Sequence, residues 1–208
     1  MSRSTPICAV VFDVGHVLYG WDIGTLYRKL IPDDAHRDWF LSHVVTADWH
    51  FQHDRGRSFT ETIPELQARY PAEADLIAAY APRWLETITG PVPGMHELVV
   101  ELDDAGVPLF AITNFSDEFW AMFRPTAPIF DRFRDIVVSG AEKLWKPEPE
   151  IYRLARRRFA LAAGEGLFVD DRIENVRAGE AQGFPGHHFT GVARLRQRLA
   201  AEGLIAVA

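Results

Sequence analysis

The chain has 208 residues with a formal net charge of −7; 48% are hydrophobic, 12% aromatic and 25% charged. That much aliphatic and aromatic material excludes intrinsic disorder, and the length suits one domain of ordinary size carrying a modest insert. The first apolar run, 7–12, is far shorter than the roughly 20 residues of a membrane crossing, and no small-residue cleavage site follows it, so it reads as neither a span nor a signal peptide.

That run, Ile7 to Phe12, has no polar alternation and predicts a strand covered on both faces, as in a parallel sheet. Residues from about 20 to 90 then show helix-spaced apolar positions: Leu26 and Leu30; Trp39, Phe40, His43 and Val44; Leu66 and Tyr70; Leu76, Tyr80 and Trp84. With no convincing strand among them, they predict an all-helical insert, with Asp33 or Asp34 and Ser58 or Thr60 as helix N-caps. Pro91-Val92-Pro93-Gly94 marks the return to the sheet. Strands at 107–113, 135–139, 166–170 and near 187–190 alternate with helices at 94–105, 117–123, 150–161, 174–182 and 192–201. Such alternation argues for an open α/β sheet built from strand-helix-strand units. The expected division is 1–19 with 91–208 as the α/β core and 20–90 as a helical cap.

The single cysteine, Cys8, excludes a disulfide framework and fits a reducing, cytoplasmic setting. An acidic chain repels nucleic-acid phosphate. The one dense basic run, Arg153 with Arg156 to Arg158, falls in a helical pattern and reads as a solvated face. Neither nucleic acid nor membrane is an expected partner.

Ligands of open α/β sheets bind beyond the carboxyl ends of the strands. Four predicted strand ends here carry useful groups: Asp13, Thr113-Asn114, Lys146 and Asp170-Asp171. Each alone means little; together on one rim they form a constellation. The four segments are Phe12-Asp13-Val14-Gly15-His16, Ala111-Ile112-Thr113-Asn114, Lys146-Pro147-Glu148-Pro149 and Phe168-Val169-Asp170-Asp171. In that order the chain resembles the haloacid dehalogenase superfamily of hydrolases, in the subfamily whose helical cap lies between the first and second motifs. The resemblance implies a three-layer Rossmann-like core and a Mg²⁺-dependent phosphatase of small phosphorylated metabolites. In it Asp13 is the nucleophile that forms an aspartyl phosphate. Asp13, the carbonyl of Gly15 and Asp171 hold Mg²⁺; Lys146 faces Asp13 and the phosphate; Thr113 and the amide of Asn114 bond its oxygens, and His16 lies in the substrate site. Choosing between Asp170 and Asp171 is a period-two question, and motif register favours Asp171, with Asn175 supporting the site one helical turn on. Asp22 reads as a helix cap rather than a ligand.

One departure matters. Most phosphatases of the superfamily carry a second Asp two residues after the nucleophile, as acid and then base; this chain has Gly15. Such a group is worth roughly 10²–10⁴ in rate. His16, as a neighbour on an extended segment, is expected to point elsewhere, and His50 and His53 read as cap packing. The first motif and the stretch His53-Asp54-Arg55-Gly56 resemble members acting on sugar phosphates, glucose 1-phosphate among them. An anomeric oxygen leaves readily, which suits a site short of an acid. Two rivals share these residues: a metal-independent L-2-haloacid dehalogenase using the same Asp13, and a binding protein that kept the fold and lost turnover.

Overall fold

The computed structural model describes residues 6–206. Five parallel strands form the main sheet: β1 (Ala9–Phe12), β4 (Leu109–Thr113), β5 (Asp135–Val138), β6 (Gly166–Asp170) and β7 (Gly186–His188), in the order β5-β4-β1-β6-β7. The expected runs are these strands: 166–170 is matched in full, the first three are shortened at an edge, and the last begins one residue earlier and ends two sooner. The second shortens because Pro108 has no N–H to give to the ladder.

Side-chain alternation splits the core in two. Val10, Phe12, Leu109, Ala111, Leu167 and Val169 belong to one buried cluster, whereas Ala9, Val11, Phe110, Ile112 and Phe168 belong to the other. Both faces of β1 are therefore dry, as its unbroken apolar composition requires. Helices α6 (Met95–Asp104), α7 (Asp117–Phe123), α8 (Ser139–Glu142), α9 (Pro149–Arg158), α10 (Ile173–Ala181) and α11 (Val192–Ala201) connect or follow the strands. Helix α9 stops at Arg158, short of the expected 161, where Ala160 turns left-handed at φ 54°. Its arginines serve neighbours: Arg158 pairs with Asp135 and Glu142, and Arg153 with Glu150.

Between β1 and α6 lie α1 (Gly24–Leu30), α2 (Asp34–His43), α3 (Ala47–Asp54), α4 (Phe59–Arg69) and α5 (Ala74–Ala78). Asp33, Thr46 and Ser58 cap α2, α3 and α4 by accepting from His36, Trp49 and Thr60 amides. Asp22, expected as an N-cap, stands one residue before the Ile23 cap position of α1, accepts from the Gly24 amide at 2.8 Å and pairs with Arg28. The expectation of an insert without strands needs correcting at its two ends. Strands β2 (Tyr19–Trp21) and β3 (Ile88–Pro91) pair antiparallel there, Trp21 opposite Ile88. Runs of three and four residues containing Gly20, Gly90 and Pro91 carry no periodic signal, so only the long-range pairing reveals them. The buried aromatics of the insert, Tyr27, Phe40, Trp49, Tyr80 and Trp84 among them, join the same apolar cluster as Phe12 on the sheet. Burying each such side chain contributes about 1.5–3 kcal/mol, so this continuity seats the helices firmly on one side of the sheet.

Candidate active site

Strand β1 lies between β4 and β6, the two neighbours to which the chain returns from opposite sides, so its carboxyl end is the switch point where such sheets bind ligands. Asp13 extends the strand by one residue: its N–H donates to the Val169 carbonyl at 2.8 Å. The chain then folds back, with the amides of Leu18 and Tyr19 both donating to the Val14 carbonyl. Asp13 is buried, and its Oδ1 accepts from the Val14 amide at 2.7 Å and from Lys146 Nζ at 2.8 Å.

Lys146 is 2% exposed, with Nζ also 2.7 Å from Asp170 Oδ2. Its place is fixed by Asn114, whose Oδ1 accepts from the Lys146 amide at 2.8 Å and whose Nδ2 donates to the Lys146 carbonyl at 2.9 Å. The sequence pointed to the backbone amide of Asn114; its side chain proves to be a two-pronged clamp on the lysine backbone. Thr113, at the end of β4, is 1% exposed, and its Oγ1 has no hydrogen-bond partner. It lies just behind the cavity wall formed by Asn114 and Phe115.

Period two does not decide between Asp170 and Asp171. Strand β6 ends at Asp170 and Asp171 stands in a bend, so the alternation stops between them. One oxygen from each of Asp13, Asp170 and Asp171 lies within 4.8 Å of the others. The two differ in how they are occupied. Asp170 is fully buried and accepts from Lys146 Nζ, the Arg172 amide and Asn175 Nδ2. Asp171 is half-buried, faces the cavity, and takes no side-chain hydrogen bond among the described residues.

The electrostatics follow from this crowding. Burial pushes the Asp13 carboxyl up to about 7; Lys146 pulls it down, and Asp170 and Asp171 push it up again. Burial likewise raises Asp171, with Asp170 adding to it. For Lys146 burial acts to lower the ammonium, but Asp13 and Asp170 outweigh it and hold the group above its ordinary range. Three carboxylates against one ammonium leave two negative charges over. An all-oxygen donor set with that surplus fits a hard divalent cation such as Mg²⁺.

His16 departs from the expected direction. The segment after Asp13 is a turn rather than an extended strand, His16 sits in the left-handed region at φ 57°, and its side chain, exposed, lines the cavity near Asp171. Gly15 also lines the cavity, and a Cβ built on it would meet nothing within 4 Å.

The insert contributes His50, His53 and Asp54 near the cavity. His53 is fully buried and packs within the insert, its Nε2 2.7 Å from Thr62 Oγ1. His50 is buried as well, with Nδ1 2.7 Å from the Tyr80 hydroxyl and Nε2 3.7 Å from Asp54 Oδ1. Asp54, the last residue of α3, lines the same cavity as Asp13 and Lys146, and its Oδ1 has no hydrogen-bond partner. Burial drives His50 down to about 3, assisted by His53, and drives Asp54 up to about 8, with the Ser116 amide opposing and Asp13 adding. Imidazole and carboxyl therefore face each other uncharged rather than as an ion pair. Asp54 is the site group the sequence did not single out; its signal was the i+4 spacing from His50 on one helix. Asp170 was named in the acidic pair, with motif register favouring Asp171 as the ligand.

The cavity encloses about 530 Å³. Its walls include Trp21, Phe51, Trp84, Ile88, Phe115 and Phe123, with the carboxylates and Lys146 in the same enclosure. A second, open hollow of about 480 Å³ beside α9 is lined by Arg153, Arg156, Arg157 and Leu161 and holds no acidic group.

Residues 7–183 match the haloacid dehalogenase-like hydrolase family, and the chain belongs to that family. It is 28% identical over 187 residues to the sesquiterpene phosphatase astK of Aspergillus oryzae, covering 89% of this chain and 91% of that one. Other curated relatives are matched over 17% to 55% of their own length. Among solved structures, a HAD family enzyme of Bacteroides thetaiotaomicron in complex with magnesium and inorganic phosphate superposes with a TM-score of 0.67. It is 18% identical, over 87% of this chain and 93% of that one. The L-2-haloacid dehalogenase of Xanthobacter autotrophicus superposes at 0.60, also 18% identical, over 97% and 85%. The fold is thus shared by both chemistries. No helix among the described residues is long and apolar enough to cross a membrane.

Proposed function

We propose that the protein is a Mg²⁺-dependent phosphatase that hydrolyses a small phosphorylated metabolite through an aspartyl phosphate on Asp13. The observation that carries this reading is the grouping of Asp13, Asp170 and Asp171 within 4.8 Å, with Lys146 Nζ 2.8 Å from the Asp13 carboxylate. Asp13 attacks phosphorus as the ester oxygen departs, and water then cleaves the acyl phosphate. Phosphoryl transfer depends mainly on positioning and on neutralising the charge of the equatorial oxygens. Asp13, the Gly15 carbonyl and Asp171 are the groups to hold the metal, since Asp170 is already engaged by Lys146 and Asn175. When bound, Mg²⁺ supplies positive charge against the phosphate oxygens. Lys146 offers a second cation, and the Thr113 hydroxyl meets a phosphate oxygen.

The surplus negative charge also argues against a haloacid dehalogenase. Its substrate is a carboxylate, and two like charges near 4 Å repel by about 4 kcal/mol at an effective dielectric of 20. A fold kept only for binding has no use for a nucleophile, a buried lysine and an acidic pair together. For the organic part of the substrate, the aromatic walls suit the C–H faces of a sugar ring, in line with the sugar-phosphate resemblance of the first motif. The same walls suit the more apolar skeleton named for the Aspergillus relative.

The test is phosphate release from sugar phosphates, nucleotides and prenyl monophosphates, with Mg²⁺ and with EDTA, using Asp13→Asn as control. Mg²⁺-dependent release that vanishes in the variant is the expected result. Chloride release from L-2-chloropropionate in EDTA, with no phosphate from any ester, overturns it.

A further inference from the structure

We infer that Asp54, contributed by the helical insert, is the general acid and base that takes the place of the carboxylate missing at position 15. This inference rests on the phosphatase reading and concerns the step that reading leaves without a proton donor.

Three observations carry it. First, Asp54 shares the cavity with Asp13 and Lys146, is 6% exposed, and keeps one carboxyl oxygen without any hydrogen-bond partner. A buried carboxyl oxygen left unmatched is unfavourable, unless a ligand atom meets it during turnover. Second, the end of α3 is tied to the sheet domain rather than to the rest of the insert alone. The Asp54 carbonyl accepts from Ser139 Oγ at 2.5 Å, and Ser139 Oγ accepts in turn from the Phe115 amide at 2.9 Å, two residues beyond Thr113. Arg55 lies over the Trp145 ring, beside Lys146. A Cβ on Gly56 would come within 2.9 Å of the Gly140 carbonyl, so glycine is what permits this approach. An acid must be held to within a fraction of an ångström to act, and these ties supply that. Third, Gly15 faces open space, so nothing steric required the loss of a carboxylate there.

The surroundings keep Asp54 protonated. Burial holds the Asp54 proton up to about 8, against the Ser116 amide and Lys146, which favour the carboxylate, and with Asp13 adding like charge. The Tyr80 hydroxyl lies 2.7 Å from His50 Nδ1, and His50 Nε2 stands 3.7 Å from Asp54 Oδ1, beyond hydrogen-bond distance. In the first step the Asp13 oxygen bonds to phosphorus, the bond from phosphorus to the ester oxygen breaks, and the Asp54 proton passes to that oxygen, which leaves as an alcohol. In the second step the Asp54 carboxylate takes a proton from water as its oxygen attacks phosphorus. Phosphate leaves, and Asp13 and protonated Asp54 are restored.

The test measures kcat/KM over aryl and alkyl phosphate monoesters of graded leaving-group acidity, with Mg²⁺, for the wild type, Asp54→Asn, and Asp54→Asn combined with Gly15→Asp. Asp54→Asn should lose about 10²–10⁴-fold on alkyl phosphates and only a few-fold on p-nitrophenyl phosphate, whose leaving group needs no proton. The added Asp at position 15 should recover part of the alkyl activity. The wild type alone should show a shallow dependence on leaving-group acidity, a readout that needs no variant to fold. An equal loss on all esters, or a steep wild-type dependence, overturns the role of Asp54 while leaving the phosphatase reading standing. No phosphate from any ester in the wild type removes both.

Discussion

Two carboxylate groupings meet in one cavity, and they are built on opposite plans. On the sheet side, one oxygen of Asp13 and both oxygens of Asp170 take donors from Lys146, Asn175 and the amides of Val14 and Arg172. On the helical side, Asp54 has a neutral histidine for a neighbour and an oxygen with no partner. The first arrangement gathers three carboxylates around one ammonium; the second buries a single carboxyl whose pull toward the charged form comes from the Ser116 amide and the more distant Lys146. Environment rather than residue type thus divides the labour among four aspartates, as it does wherever paired acids take different catalytic roles.

The contrast breaks most sharply at Asp13. Asp13→Asn removes the nucleophile and should lower phosphate release by about 10⁴-fold or more, measured by phosphate assay, with any residue of activity attributable to binding alone. Lys146→Met strips the sheet side of its countercharge. Removing one partner of a buried ion pair is destabilising by about 3–5 kcal/mol, which for a chain of this size is a fall of about 10 °C in Tm by calorimetry. An unchanged Tm would show that Asp13 and Asp170 do not depend on the lysine.

Stability against pH sharpens the other side. The folded state holds the Asp54 proton up to about 8, against about 3.9 for an unfolded chain. Between these values the folded state binds more protons, so stability declines as pH rises from about 4 to about 8. Asp54→Asn lacks this liability and should melt a few degrees above the wild type at pH 8, with the gap narrowing toward pH 5. A gap independent of pH would mean that Asp54 ionises normally. The smallest effect is expected at Asn114→Ala, which frees the Lys146 backbone and should cost about 1 kcal/mol per lost hydrogen bond. It should appear as a roughly tenfold lower kcat and little change in KM, since the lysine remains but wanders.

The sheet was legible because a strand dry on both faces is written as an unbroken apolar run, as in Val10 to Phe12 and Leu167 to Val169. The site groups Asp13, Thr113 and Lys146 were legible for a related reason: each stands at or just beyond such a run or its return loop. What could not be read depends on distant pairing or on a break in regularity. The β2–β3 ribbon is too short to announce itself, and the bend at Asp171 removes the alternation that would have told Asp170 from Asp171. The turn that brings His16 to the cavity needs a left-handed residue that is not glycine, which composition does not reveal. Asp54 was hidden most deeply, because its meaning comes from Ser139, Trp145 and Gly140, all more than eighty positions further along the chain.

The short β2–β3 ribbon has a consequence for how such proteins diversify. Trp21 and Ile88 lie opposite each other, so the polypeptide departs and comes home through a single narrow doorway. A lobe of different size or lining can be exchanged there without re-registering the parallel strands beneath. In this chain the lobe also carries Asp54, so choice of compound and supply of protons ride together as one cassette.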